Sequence, residues 1–318
     1  MLSHIAEWAS ARKVVVREQP PAEAPRAELV AAGVPPAGPP AEGTAEGVAA
    51  SATDAAPPTT GAEAELRTER FAQIGVSLTV LAFLVHLMGV AARGFAAGPR
   101  VPWGNMFEFA TTGALAAVAA YLVALKLYRT QWLGLLVTGF AVVVLGVAML
   151  TPVYVAPGPL VPALHSYWLA IHVSAAAISG GAFGVGALAS VLYLLKSRAE
   201  SRTPEVQGVW SRLPAAIEID RIAYKVHAFA FPLWTFGALI AGPIWAYYAW
   251  SRFWGWDPKE VWALITWVVY AAYLHARATA GWQGRRASII ALVGFATFLF
   301  SFIGINLFGS GLHAYAGV

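Results

Sequence analysis

The most regular feature of the chain is a series of long apolar runs separated by short polar segments. From Phe71 onward, seven runs rich in Leu, Val, Ala, Ile and Phe follow one another. Each holds about the 20 residues that a helix needs to cross a bilayer, and none shows the amphipathic periodicity of a soluble helix. The pattern therefore predicts an all-α, polytopic transmembrane helix bundle. The predicted spans are 71–92, 106–128, 131–151, 167–195, 222–248, 260–280 and 287–308.

Composition supports a membrane protein. The chain is 58% hydrophobic and 12% charged, with a mean hydropathy of +0.61, whereas soluble domains carry about 25% charged residues. The net charge of +4 is interpreted as a topology signal, and no aromatic and basic surface module suggests a nucleic-acid partner. The chain has no cysteine, which excludes disulfides, thiolate metal sites and a cysteine nucleophile within it.

The chain divides into three parts. Residues 1–19 are too short and wrongly ordered for a secretory signal; they look like the end of a membrane helix, the remnant of an eighth span, with a short interfacial helix as the alternative. Residues 20–65 are rich in Pro, Ala, Gly and Glu and are predicted to be a disordered linker. Residues 66–318 form the predicted transmembrane domain.

Basic residues predict the orientation, because they concentrate in cytoplasmic loops. One set of loops holds Arg67, Arg70, Lys126, Arg129, Lys196, Arg198, Arg202, Arg212, Arg277, Arg285 and Arg286. The opposite set holds only Arg93, Arg100, Arg252 and Lys259. The first set is therefore predicted to be cytoplasmic, together with the linker. The C-terminus is then predicted to lie on the outer side.

The segment 249–260, which overlaps WSRFWGWDPKEVW at 250–262, is the densest mixture of indoles and charge in the chain. Asp257 is a favourable N-cap, Pro258 suits the first helical position, and Glu260 can complete a capping box. The sixth span is therefore predicted to start at Asp257. Trp254 and Trp256 would then sit beside a rigid helix start.

Two interpretations of the tryptophans remain open. One is an aromatic belt, since Trp prefers membrane interfaces. The other is a platform for a flat, largely apolar ligand, which the crowding into one short region favours. The crowded residues are Trp245, Trp250, Trp254, Trp256, Trp262 and Trp267.

Among the seven histidines, His172 and His313 are predicted to lie at the same outer level as the tryptophan segment. Two neutral imidazoles at one level suit the axial positions of a haem iron. His275 lies deeper, near the cytoplasmic end of the sixth span, and has no obvious partner at its depth in the later spans. His86 is a partner only by depth, and it lies nearer the outer half of the first span. The alternative is that a lone intramembrane histidine is simply packed and hydrogen-bonded. That structural interpretation is adopted for His86, His165 and His227.

The residues resemble a known family. WSRFWGWDPKEVWALITWVVYAAYLHAR is similar to the motif WGxYWxWDPKExWALIxWxxYxxYLHxR of the CcsA or ResC family (CcsB in actinobacterial naming), whose members carry a tryptophan-rich WWD motif and handle haem in cytochrome c biogenesis system II. YWLAIHVSAAAIS, GLHAY and VPWGNMFEF resemble further family segments, and the resemblance covers residues 71–318. Ser251 replaces a family glycine, and the family usually begins with one more span.

The resemblance implies a function. Haem b, as the transported substrate, would cross the cytoplasmic membrane and be attached to the CxxCH cysteines of apocytochrome c. The protein would belong to a holocytochrome c synthase, or haem lyase, complex with a ResB-type subunit. His172 and His313 would be the outer axial ligands, and His275 the membrane-site ligand whose partner lies on the ResB-type subunit. The resemblance assigns the haem platform to Trp250, Trp254, Trp256 and Asp257.

Two other functions compete with this one. A b-type membrane cytochrome would keep its haem for electron transfer, and a small-molecule transporter would use the indoles as an outer vestibule. No residue identifies itself as a catalytic acid or base. The cations that could meet haem propionates are, by position only, Arg252, Lys259, Arg93 and Arg100.

Overall fold

The computed structural model describes His4 and residues 60–203, 206–279, 282–309 and 311–313. Helices are the only regular secondary structure in these ranges, so the predicted all-α class is confirmed. The long helices are α1 Thr60–Ala96, α2 Met106–Tyr128, α3 Gly134–Leu150, α4 Tyr167–Glu200, α5 Ala216–Trp250, α6 Pro258–Ala278 and α7 Arg285–Phe308.

Six of these helices are long and apolar enough to cross a bilayer, so the chain is a multi-pass membrane protein. The helix predicted at 260–280 is present as α6, but it is not among the six. Its charged residues lower its hydropathy, and one of them is ion-paired within the bundle. Arg277 of α6 donates to Asp220 of α5 over 2.5 Å, and both side chains are buried.

The apolar pattern located most helix ends well. The bounds of α2 match the predicted 106–128 at both ends. α1, however, begins at Thr60, inside the segment predicted to be linker. The rest of the predicted N-terminal segment and linker lies outside the described residues, apart from His4, whose buried ring has its Nε2 3.3 Å from Thr79 Oγ1.

Helix α4 is the centre of the bundle and packs against α2, α3, α5 and α7. Small residues permit this, as is typical of helix contacts in membranes. At Gly181 a Cβ atom would lie only 2.6 Å from the backbone nitrogen of Ala117 in α2. The close approach fixes the position of α4, and with it the position of His172 near its start.

Two helices contain a π turn, a feature that often marks functional sites. One spans Thr235–Ala241 in α5 and the other spans Phe300–Gly304 in α7. Because the chain reverses direction between consecutive helices, one face of the bundle collects the connections 97–105, 151–166 and 251–257 and the tail 311–313. We call this the site face.

Candidate functional site

A cavity of about 160 Å³ lies at the site face, among α2, α4, α5, α6 and α7. Its wall is mostly apolar and aromatic, and both π turns contribute to it through Ala238, Ser301 and Phe302. The side chains with polar or charged groups that line it include His172, His313, Lys259, Glu260 and Asn306. The two histidines predicted to share one level thus share one cavity.

His172 is held by the π turn of α5. Its Nδ1 lies 2.8 Å from the carbonyl oxygen of Gly237, and since a carbonyl only accepts, Nδ1 carries the proton. The lone pair of the neutral ring is then on Nε2. A protein oxygen that binds one ring nitrogen in this way is the usual arrangement for a histidine whose other nitrogen binds a metal.

His313 is held by Asp257. Its Nδ1 lies 2.8 Å from Asp257 Oδ1, and the backbone N–H of Leu312 donates to Oδ2 over 2.7 Å. Gly311 makes this approach possible, because a Cβ atom there would lie 2.3 Å from Oδ2. Asp257 therefore fixes the tail 311–313 against the start of α6.

Asp257 also begins α6, as the sequence predicted. Its Oδ1 accepts from the backbone N–H of Lys259, and Glu260 completes the capping box. Burial alone would raise the pKa of Asp257. The hydrogen bond and the charge of His313, with the N–H groups of Lys259 and Leu312, outweigh burial and hold the pKa of Asp257 below its usual value.

Trp245 contacts both histidines. Its ring is nearly parallel to that of His172, with centroids 5.8 Å apart and planes at 7°, and it meets His313 at 5.6 Å and 60°. The indole is buried, and its Nε1 donates to the carbonyl oxygen of Ala163 over 3.1 Å. The sequence marked Trp245 only as one of six crowded indoles, and the resemblance gave it no role.

The tryptophans assigned to the platform line different parts of the site. Trp250 contacts His313, with centroids 5.0 Å apart, and Trp254 lines the cavity. Trp256 is 70% exposed and meets Trp254 at 87°. Trp254 and Trp256 are therefore steeply inclined to each other, and the three indoles form a wall and an exposed rim, not a single flat slab.

Trp256 has an unusual backbone conformation, with φ at +57°. The cause is the carboxylate of Glu260, whose Oε2 accepts from the backbone N–H groups of both Gly255 and Asp257, over 2.8 and 3.1 Å. The chain folds around this oxygen and directs the intervening residue outward. Strained residues of this kind cluster at functional sites.

The structure does not bring His275 to this cavity. It lies 16 residues after Lys259 on α6, which is about 24 Å along a helix axis, and it is exposed on the surface of the chain. His227, by contrast, is buried among the rings of Phe183, Tyr270 and Tyr273. Its Nδ1 has no hydrogen-bond partner among the described residues, so the structural role expected for His227 rests on packing and stays a prediction.

Two of the four predicted cations serve another purpose. Arg93 and Arg100 both bind the fully buried carboxylate of Glu108, over 3.0 and 2.8 Å. They also donate to the carbonyl oxygens of Val155 and Gly158, and neither lines the cavity. They tie the connections of the site face together.

Known proteins resemble this chain over most of its length. The profile of a family described as Cytochrome C assembly protein matches residues 75–313. The chain belongs to this family. The cytochrome c biogenesis protein CcsA of Synechococcus elongatus is 36% identical over 284 residues, covering 76% of this chain and 87% of that protein. CcsA of Synechocystis is 34% identical over 75% of this chain and 85% of its own length. CcsA of Chlamydomonas reinhardtii is 43% identical over a shorter range of 157 residues.

The family match covers the whole site of this cytochrome c assembly protein. It begins inside α1 and ends at His313, so it includes α2 to α7 and all three candidate histidines. The segment VPWGNMFEF also gains a structural explanation. Asn105 caps α2 by accepting from the N–H of Glu108, and Glu108 binds the two arginines.

Proposed function

We propose that the protein acts in cytochrome c biogenesis by holding haem between His172 and His313 on the outer side of the membrane and presenting it to apocytochrome c. The observation that carries this proposal is the shared cavity: both imidazoles line it, and both contact Trp245. The site face is then the outer face, as the distribution of basic residues predicts.

The donor set fits a haem iron. Within the described ranges, no group of three or more His, Cys, Asp or Glu side chains could hold a bare metal ion. Two imidazoles are nevertheless the number that a haem iron requires, since the porphyrin supplies the other ligands. Each imidazole is oriented through Nδ1, His172 by Gly237 and His313 by Asp257.

The size of the cavity indicates that haem binding involves movement. Pockets that hold drug-sized ligands measure about 300–1,000 Å³, well above the 160 Å³ found here. The tail that carries His313 is the element that we expect to yield, because it is held by side-chain contacts with Asp257, Trp245 and Trp250 and belongs to no helix. We expect the tail to move aside as haem enters and to dock on Asp257 again once haem is bound.

Attachment to the cytochrome would depend on positioning. Each thioether forms when a cysteine S–H adds across a haem vinyl group, which needs no external oxidant. This chain has no cysteine, so both thiols come from the CxxCH motif of the apocytochrome. The exposed Trp256 at the rim offers apolar surface to the porphyrin or to the incoming polypeptide. The contribution of the chain is to hold the vinyl groups near the thiols.

His275 would serve a second haem position within the membrane. Its exposure on the surface of α6 suits a site completed by another subunit, for which a ResB-type protein is the proposed partner. An imidazole in this part of a membrane protein is costly unless it has a function or a partner. Haem b entering from the cytoplasmic side would meet this position before the outer cavity.

Histidine substitutions test the proposal. The protein is purified together with its ResB-type partner, and the haem absorption spectrum is recorded for His172→Ala, His313→Ala and His275→Ala. The first two should disturb an outer haem that added imidazole restores, and the third should lower the total haem. His165→Ala is the matched control, because His165 is exposed at the site face outside the cavity.

Two results would contradict the proposal. One is full haem retention with an unchanged spectrum in all three variants. The other is a pair of observations that would favour a b-type cytochrome: the purified protein keeps a haem that cycles between redox states, and cytochrome c matures normally in a strain that lacks this chain.

A further inference from the structure

The cavity is lined by a lysine, and the two proposed histidine ligands give its positive charge no role. Lys259, the second residue of α6, lines it together with His172 and His313. Its Nζ donates to Oδ1 of Asn306 in α7 over 2.8 Å. That acceptor is neutral, and burying an ammonium group among apolar walls is costly unless an anion compensates for it.

The carboxylates nearby are committed to other groups. Asp257 accepts from His313, from the N–H of Leu312 and from the backbone N–H of Lys259, not from its Nζ. Glu260 accepts through Oε2 from two backbone N–H groups of the preceding turn. The Nζ of Lys259 therefore lines the cavity without an ion pair among the described residues, and the charge of Asp257 acts on it only from a distance.

The remaining cations of the site face do not compete for this role. Arg93 and Arg100 are neutralised by Glu108. Arg252 is exposed and does not line the cavity. Of the four cations that the sequence offered as partners for haem propionates, Lys259 alone lines the cavity.

We infer that Lys259 is the anchor for a carboxylate of the ligand, with Asn306 holding its Nζ in place. This inference rests on the proposed function: if the ligand is haem, the anchored group is one of its propionates. An ion pair at one edge of the porphyrin, together with two axial imidazoles, would fix the rotation of the ring about the iron. The vinyl groups would then point in a defined direction toward the incoming thiols.

The test compares haem with its dimethyl ester, in which both propionates are neutral. Each is titrated by absorbance into the haem-depleted complex with the ResB-type partner, for the wild type, Lys259→Gln and Lys259→Arg. The wild type should bind haem about tenfold or more tighter than the ester, since hydrogen bonds between charged groups contribute this much. Lys259→Gln should lose that preference while binding the ester as the wild type does, and Lys259→Arg should retain most of it.

The outcomes separate the two proposals. If the wild type binds neither compound at the site of His172 and His313, the proposed function fails. If haem binds there but Lys259→Gln weakens haem and ester equally, Lys259 has only a structural role and the inference is overturned. If Lys259→Gln does not accumulate, the preference for haem over the ester is measured in Arg252→Gln instead. Loss of the preference in Arg252→Gln would place the anchor at Arg252 and overturn the inference. A preference that both Arg252→Gln and Lys259→Arg retain supports the inference.

Discussion

The imidazole of His313 donates from Nδ1 to Oδ1 of Asp257 over 2.8 Å, so the first capping residue of α6 also holds a proposed haem ligand. The bond joins two segments that lie 56 residues apart in sequence. A motif residue that would otherwise be explained by helix capping alone therefore also positions the C-terminal tail.

This bond predicts that the tail can be displaced without removing any ligand. Gly311→Ala would place a Cβ atom 2.3 Å from Asp257 Oδ2, and the tail could not dock. We expect the outer haem spectrum to change as it does in His313→Ala, with partial rescue by imidazole. The control is Gly158→Ala, because a Cβ atom at Gly158 meets nothing within 4 Å. Gly309 is unsuitable as a control, because a Cβ atom there would lie 2.7 Å from the carbonyl oxygen of Ile305. A wild-type spectrum in Gly311→Ala would show that docking does not position His313.

Acid should release the tail. The pKa of Asp257 is lowered in the docked state, whereas a free Asp carboxyl has a pKa of about 3.9. The docked state therefore binds fewer protons than the undocked state as the pH falls. The stabilisation is then complete above about pH 4 and is lost as the pH falls through the lowered pKa of Asp257. Hydrogen-exchange protection of the Leu312 amide, which donates to Asp257, reports the transition.

The matched variant for this pH experiment is His313→Gln. It removes the charge and the main hydrogen bond that lower the pKa of Asp257, so the loss of Leu312 protection should move to higher pH. An unchanged midpoint in His313→Gln would mean that another group controls release of the tail.

Ser251 occupies a conformation that favours glycine. It ends α5 with φ at +57° and ψ at +26°, and a non-glycine residue in the left-handed region costs roughly 1–2 kcal/mol. Ser251→Gly, which restores the family residue, should therefore raise the free energy of unfolding by about 1 kcal/mol. Ser201→Gly is the control, because Ser201 also ends a helix but has φ at −75°. Equal thermal shifts in the two variants would contradict this explanation.

Glu108 should be among the most sensitive positions outside the cavity. Its buried carboxylate compensates for Arg93 and Arg100, and its Oε2 accepts from the N–H of Gly104 over 2.7 Å. Breaking a buried ion pair costs about 3–5 kcal/mol, so Glu108→Gln should lower the thermal midpoint markedly. Glu218→Gln, an exposed acid in the first turn of α5, should change it little. Similar midpoints for the two variants would show that the arginines find other partners.

The sequence predicted the parts of the molecule that depend on local chemistry. The length of an apolar run located α2 to the residue, and the order Asp257-Pro258-Lys259-Glu260 predicted the start of α6. These features follow from the hydrophobicity and the hydrogen-bonding capacity of neighbouring residues. They need no knowledge of how the helices pack.

Features that arise from packing could not be predicted in this way. The π turn that presents the Gly237 carbonyl to His172 has no sequence signal of its own. The position of Trp245 between two histidines depends on how α5 lies against α4 and the tail. Position along the chain left four cations as equal candidates for contact with haem propionates. The structure removes Arg93 and Arg100 from these candidates, because both pair with Glu108.

The double use of Asp257 has a mechanical consequence. When the tail departs, the carboxylate loses its contacts with His313 and Leu312 but keeps the N–H of Lys259, and the bonds from Gly255 and Asp257 to Glu260 are untouched. The first turn of α6 can thus stay intact while residues 311–313 move away, so one wall of the chamber can open without any unfolding of the helix that borders it.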